Sequence, residues 1–124
     1  MICPCCSGKN YQDCCGLYHS GKEIPSSAEL LMRSRYSSYA LPNGAYLMKT
    51  TYPSKRYLYS SQELEAWGKM NHWLKLEIVA LPAPHQVEFK AFYLDEQQKE
   101  QVHHELSTFK RENHQWFYVS GKFK

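Results

Sequence analysis

Residues 73–81, Trp73-Leu74-Lys75-Leu76-Glu77-Ile78-Val79-Ala80-Leu81, alternate in polarity. Leu74, Leu76 and Ile78 fall on one face of an extended chain, and Trp73, Lys75 and Glu77 on the other. A period of two marks a half-buried strand. Pro82-Ala83-Pro84 breaks the run, and residues 86–93 resume it with Val87, Phe89, Ala91 and Tyr93 set against Glu88 and Lys90. Residues 101–112 and 115–120 read as a third and a fourth strand. Asp95-Glu96-Gln97-Gln98 and Glu112-Asn113-His114 supply the polar turns between them. Four consecutive strands with short connections predict an antiparallel meander.

Upstream the period changes. Ser26-Ser27-Ala28-Glu29 is a capping box, with Ser26 as cap and Glu29 three residues on. It predicts a helix over 27–40, whose apolar stripe holds Ala28, Leu31, Met32, Tyr36, Tyr39 and Ala40. Arg35 falls on that stripe; Arg33 lies off it and is expected in solvent. Pro42-Asn43-Gly44 forms a turn, residues 44–51 a short helix, and Pro53 ends it. Ser60-Ser61-Gln62-Glu63 starts a further helix that runs to about Met70. Three helices followed by a four-stranded meander make an α+β protein with helices on one face of the sheet.

The composition sets limits. The chain has 124 residues, 15% of them aromatic, and a formal net charge of +3. That fits one packed domain with a small appendage and excludes a disordered chain. The basic residues are dispersed, so nucleic acid is not the expected partner. No apolar run approaches the roughly 18 residues that a membrane helix needs. No charged and apolar leader precedes Cys3, so a reducing cytoplasmic setting is expected, where disulfides are rare.

All five cysteines lie in the first fifteen residues: Cys3, Cys5, Cys6, Cys14 and Cys15. Two close pairs, Cys3-x-Cys5 and Cys14-Cys15, flank eight residues, and Cys6 is an extra. Two pairs on two bends can surround one metal ion tetrahedrally. So short a segment has no core of its own and needs such a staple. Zinc is the expected ion, although thiolate spacing alone does not separate it from iron, and Cys6 is either a further ligand or a free thiol. A zinc tetrathiolate carries a charge of about −2. The Ser7-Gly8-Lys9 amides and the Lys9 ammonium are the expected compensation. Residues 16–25, with Gly16, Gly21 and Pro25, read as a connector that places His19 and Lys22 at the surface. The organisation is then a metal motif over 1–20, a linker over 21–25 and the main domain over 26–124.

The set Cys3-Pro4-Cys5, Ser7-Gly8-Lys9, Tyr11 and Cys14-Cys15-Gly16 resembles the SEC-C zinc motif, which also ends the preprotein translocase ATPase SecA. The resemblance implies Cys3, Cys5, Cys14 and Cys15 as ligands. The motif usually has glycine where this chain has Cys6. The run from Ser27 to Tyr39, with Val87-Glu88-Phe89-Lys90-Ala91, His104-Glu105-Leu106-Ser107-Thr108-Phe109 and Trp116-Phe117-Tyr118-Val119, is similar to the YchJ family of bacterial proteins. That resemblance covers nearly the whole chain and implies a nuclear transport factor 2-like (cystatin-like) domain, a curved four-stranded sheet wrapping helices. Where the family usually reads Glu-His-Ser, this chain reads Glu105-Leu106-Ser107.

Folds of this kind form a cone between sheet and helices, but the fold does not set the function. Polar residues on apolar faces are the candidates for lining the cone: Arg35 on the first helix and Glu105 on the third strand. Glu105 shares its strand face with His103, Ser107 and Phe109, while His104 faces the other way. Tyr36, Trp67 and Trp73 are candidates for the walls, and an Arg35–Glu105 ion pair would account for both charges. No Ser-His-Asp arrangement, phosphate loop or dinucleotide fingerprint occurs, so no catalytic residue is assigned. Two functions follow as expectations. The SEC-C motif, with a structural zinc, would contact a protein partner, as the resemblance to SecA implies. Alternatively, the cone would bind a small molecule or carry an enzyme site.

Overall fold

The computed structural model describes all 124 residues, Met1 to Lys124. A 3₁₀ turn at Tyr11–Asp13 leads into α1 (Cys15–His19), followed by α2 (Ala28–Ala40) and α3 (Gly44–Lys49). After a second 3₁₀ stretch, Pro53–Leu58, come α4 (Ser61–Met70) and four strands: β1 (His72–Ala83), β2 (Gln86–Leu94), β3 (Glu100–Glu112) and β4 (Gln115–Phe123). The sheet order is β1-β2-β3-β4, antiparallel throughout. The α+β meander is therefore the fold, and bulges in β1 and in the β3–β4 pairing curve it around the helices.

Side-chain caps start the three helices foreseen. Ser27 Oγ accepts the Leu30 N–H at 3.1 Å, so the cap of α2 is Ser27 and the helix begins one residue later than expected. Asn43 caps α3 and Ser60 caps α4 in the same way. Helix α1 and the two 3₁₀ segments are additions to that pattern. The connector expected over 16–25 is partly helical, because the backbone of residues 14–21 closes on itself through Leu17 N–H to Cys14 O and Ser20 N–H to Gly16 O.

Helix α2 lies between two layers. Leu31, Met32 and Tyr36 pack with Leu76, Val87, Phe89, Ala91 and Phe109 of the sheet. Its other side carries small residues, and Ser34, Ser37 and Ser38 are all fully buried. Cys3, Cys5 and Cys15 belong to the same core cluster as Leu31 and Met32. A helix covered on both sides has no simple apolar stripe, and the serines let the second layer approach closely.

The expected faces of β1 needed correction. Trp73 pairs with Tyr93 and Lys75 with Phe92, so Leu74 is the extra residue of a bulge. Leu74 is turned to solvent, while Trp73 joins Leu76 and Ile78 on the inner face. Pro82 does not end the strand, which continues to Ala83. β1 is an edge strand with a further register shift between Ala80 and Ala83, and a residue without N–H costs no ladder bond there.

Candidate functional site

The fifteen-residue N-terminal segment is a tight knuckle. Ile2 bridges Asn10, Cys3 N–H donates to Lys9 O at 2.9 Å, and Tyr11 N–H donates to Met1 O at 2.8 Å. Gly8, at φ +87°, makes the turn. Cys6 also sits in the left-handed region, at φ +65°, which accounts for the glycine that the SEC-C pattern usually has there. Its side chain leaves the centre of the knuckle: Cys6 Sγ accepts the backbone N–H of Leu76, on edge strand β1, at 3.4 Å.

The Sγ atoms of Cys3, Cys5, Cys14 and Cys15 all lie within 4.8 Å of one another. A tetrahedron of sulfurs at about 2.3 Å from a central ion has edges of about 3.8 Å. Cys5 and Cys14 Sγ are 3.6 Å apart, far too distant for a disulfide and close to that edge. Cys3, Cys5 and Cys15 are buried and Cys14 is half-buried. The Cys15 thiol pulls Cys5 down to about 4, and the same contact, with burial, pushes Cys15 up. Burial raises Cys14 as well. So crowded a set cannot carry four negative charges unaided, and a divalent cation among the sulfurs removes that conflict. The cluster can therefore hold a metal ion.

The surroundings also suit such a centre. Ser7 Oγ lies 3.1 Å from Cys14 Sγ, and Ser37 Oγ of α2 lies 3.6 Å from Cys3 Sγ. The cation bonded to the loop is Arg33 rather than Lys9. Arg33 Nη1 donates to Cys5 O at 2.8 Å, and its Nε donates to Glu29 at 3.0 Å. Lys9 is exposed. The expected solvent position of Arg33 is thus corrected, because Cys5 folds back onto α2 from 28 residues away.

His19 is corrected in the same way. Its Nε2 lies 2.9 Å from both Ser34 O and Ser38 Oγ, and its Nδ1 lies 2.7 Å from Tyr11 Oη. A carbonyl can only accept, so Nε2 carries the proton and Nδ1 accepts from the tyrosine. Burial lowers its pKa and favours this neutral form.

The second feature is the cone. A cavity of about 430 Å³ opens between α2, α4, the Pro53–Leu58 segment and the concave face of the sheet. Arg35, Tyr36, Trp67, Trp73 and Glu105 all line it. One wall is aromatic, with the Trp67 and Trp73 rings edge to face at 5.1 Å between centroids and Tyr93 packed against Trp73 outside the lining, also at 5.1 Å. Arg35 and Glu105 stand at the base, each only 8% exposed.

These two charges do not form the direct pair foreseen. Arg35 Nη1 donates to Leu47 O at 2.9 Å and to the Thr50 and Thr51 hydroxyls at 2.7 and 3.4 Å. Its guanidinium carbon sits 4.5 Å above the Tyr118 ring. Glu105 accepts from Tyr118 Oη at 3.2 Å, from the Ser107 hydroxyl and from His103 Nε2 at 2.8 Å. Burial pushes the Glu105 carboxyl up, but His103 and the hydroxyl donors hold it below its ordinary value. Burial and the Glu105 charge together push Tyr118 up, so it stays a donor. Tyr118 was no part of the expected site. Nor was Gly121, where a Cβ would run into the Glu105 carboxylate.

His103 faces the cavity, whereas His104 turns to the opposite face and meets Glu88 at 2.6 Å. Leu106, where the YchJ pattern usually has histidine, pairs with Glu88 and lies outside the cavity.

Comparison with known proteins agrees with this architecture. The model of the YchJ middle NTF2-like domain matches residues 27–121, and that of the SEC-C motif matches residues 2–17. A UPF0225 protein of Haemophilus influenzae (strain PittEE) is 41% identical over 121 residues, 94% of this chain and 75% of that protein. A UPF0225 protein of Geobacter sulfurreducens is 34% identical over 97% of this chain and 78% of its own length. The solution structure of a SEC-C motif-containing protein from Rhodopseudomonas palustris superposes with a TM-score of 0.89 at 36% identity, covering 98% of both chains. The crystal structure of one from Psychrobacter arcticus gives 0.83 at 34% identity, covering 98% of this chain and 82% of that one. With an NTF2-like domain matched over most of its length and a SEC-C motif ahead of it, the chain belongs to the YchJ family.

Proposed function

We propose that the protein binds a small molecule in the cone of its NTF2-like domain, and that a structural zinc in the SEC-C motif holds that domain in shape. The observation that carries this reading is the open cavity of about 430 Å³ with Arg35 and Glu105 buried at its base. Cavities of roughly 300 Å³ and more, apolar with a few convergent polar groups, are the usual form of small-ligand sites. Four sulfur donors suit zinc, and a closed four-sulfur site leaves no position for substrate, which supports a structural role. A reduced tetrathiolate also fits a cytoplasmic location. No helix of the chain is long and apolar enough to cross a membrane.

The test is a screen of chemically varied small molecules, read by tryptophan fluorescence, to which Trp67 and Trp73 of the cavity contribute, and by thermal shift. Ligands that bind the protein should lose affinity in Val119→Trp, which places a large ring at the cavity wall. No binding from a varied set contradicts the reading.

A protein partner at the SEC-C motif is the second reading. Met1 and Ile2 favour it, being 72% and 63% exposed on the knuckle. An Ile2→Asp form of the full chain leaves the sulfurs untouched. Recovery of the same partner by both forms would remove Ile2 from any such contact.

A further inference from the structure

Arg35 is a buried guanidinium without a carboxylate. None of the ion pairs in the structure includes it. All three of its hydrogen bonds to protein leave from Nη1. Nε and Nη2 make none, yet no buried side-chain nitrogen or oxygen lacks a partner. Those two nitrogens are therefore not sealed in protein, and Arg35 lines the cavity. Buried charges are normally paired, because an isolated ion in a low-dielectric interior is costly. Here the pairing within the protein stops at the Tyr118 face and at neutral acceptors.

Glu105 is the opposite case. His103, Ser107 and Tyr118 already donate to it. It is bonded on both oxygens and pressed against the β4 backbone at Gly121. Lys55, at the rim of the cavity, adds a second cation. The unmet demand of the cavity is thus for negative charge, while its walls at Trp67, Trp73, Tyr39, Phe89 and Phe123 call for a flat apolar body.

We infer that the cone takes a small planar or aromatic carboxylate, whose two oxygens meet Nε and Nη2 of Arg35 and whose body lies against the Trp67–Trp73 wall. A carboxylate on two adjacent guanidinium nitrogens forms the bidentate, charge-assisted pair for which arginine is suited. Nη1 stays committed to Leu47, Thr50 and Thr51, which fixes the plane of the fork before the ligand arrives. This assignment rests on the cavity being the binding site, and the experiment separates the two.

Naphthalene-2-carboxylate, naphthalene-2-carboxamide and 2-naphthylmethylammonium share one flat body and differ in charge. Their affinities for the zinc-loaded protein are measured by calorimetry and by tryptophan fluorescence. The carboxylate is expected to bind on the order of tenfold or more tighter than the amide, the scale of a charge-assisted pair. In Arg35→Gln that ratio should fall to about one, and measurable binding of the amide by the variant shows that it has kept its cavity. Equal binding of carboxylate and amide by the unmodified protein overturns the assignment to Arg35 but leaves the cavity as a site. Tightest binding of the ammonium overturns it in favour of Glu105. If none of the three binds, the assignment falls, while the cavity reading stands or falls with the varied screen. The ratio on the unmodified protein decides the matter even if Arg35→Gln does not fold.

Discussion

Arg33 Nη1 on α2 donates to the carbonyl oxygen of Cys5 at 2.8 Å, joining the SEC-C motif to the long helix of the NTF2-like domain. The bond has company. Ser37 approaches Cys3, His19 reaches Ser34 and Ser38, and Cys6 accepts from Leu76. The motif is a second layer on α2, so a metal ion among its sulfurs would bear on the stability of the helix that carries Arg35.

Replacing Arg33 by methionine removes the charged donor to the Cys5 carbonyl while keeping much of the stem. Hydrogen bonds to charged groups contribute roughly 1.5–3 kcal/mol, and Arg33 is partly exposed, so a loss of about 1–2 kcal/mol is expected. Urea unfolding of the zinc-loaded protein measures it. The loss should shrink after chelation, since a zinc-loaded tetrathiolate site carries a net charge of about −2 and the metal-free cluster carries fewer thiolates.

Cys6 tests which sulfurs hold the metal. A residue with a Cβ at φ +65° costs about 1 kcal/mol relative to glycine. Cys6→Gly relieves that cost but forfeits the Leu76 N–H contact. Stability should stay within about 1 kcal/mol of the parent, and metal content by elemental analysis should be unchanged. Cys6→Val is expected to destabilise by about 1–3 kcal/mol, since a β-branched residue tolerates the left-handed region poorly.

On β4, Gly121→Ala sets a methyl group against the Glu105 carboxylate. Overpacking of this kind costs about 1–3 kcal/mol, and here it also pushes the acceptor away from His103, Ser107 and Tyr118. A lower denaturant midpoint with an unchanged slope is the expected result.

His19 makes stability depend on pH. Burial lowers its folded pKa below the ordinary value of about 6.5, so the unfolded chain takes up the proton first. The stabilisation from neutral His19 is fully present above about pH 6.5 and is lost as pH falls through that value toward the lower folded pKa. His19→Gln has no such titration. Between about pH 7.5 and 5.5 the parent should lose more stability than the variant, as followed by urea midpoints at constant zinc.

Much of this architecture was legible from the period of the chain. The two alternating runs and the serine caps describe α2, α4 and the meander, because local backbone preference and tertiary packing agree there. The clustering of Cys3, Cys5, Cys14 and Cys15 was legible because close cysteine pairs at this spacing are the signature of a site that can hold a metal ion. Trp73 was assigned to the outer face because a bulge at Leu74 reverses the alternation, and no composition signal marks a single inserted residue. The burial of His19 and Arg33 depends on partners 15 and 28 residues away, beyond the reach of any local pattern. Arg35 and Glu105 stood out as charges on apolar faces, but the Tyr118 ring that separates them comes from β4. Buried Ser34, Ser37 and Ser38 were the available clue that a second layer covers α2.

The central claim is that the metal centre is closed and structural, which leaves small-molecule binding to the cone. X-ray absorption at the metal edge of the purified protein tests it directly. Zinc with four sulfur neighbours at about 2.3 Å and no nitrogen or oxygen in the shell is the result expected. A shell containing a water oxygen or a histidine nitrogen, or iron at the site, would contradict the account.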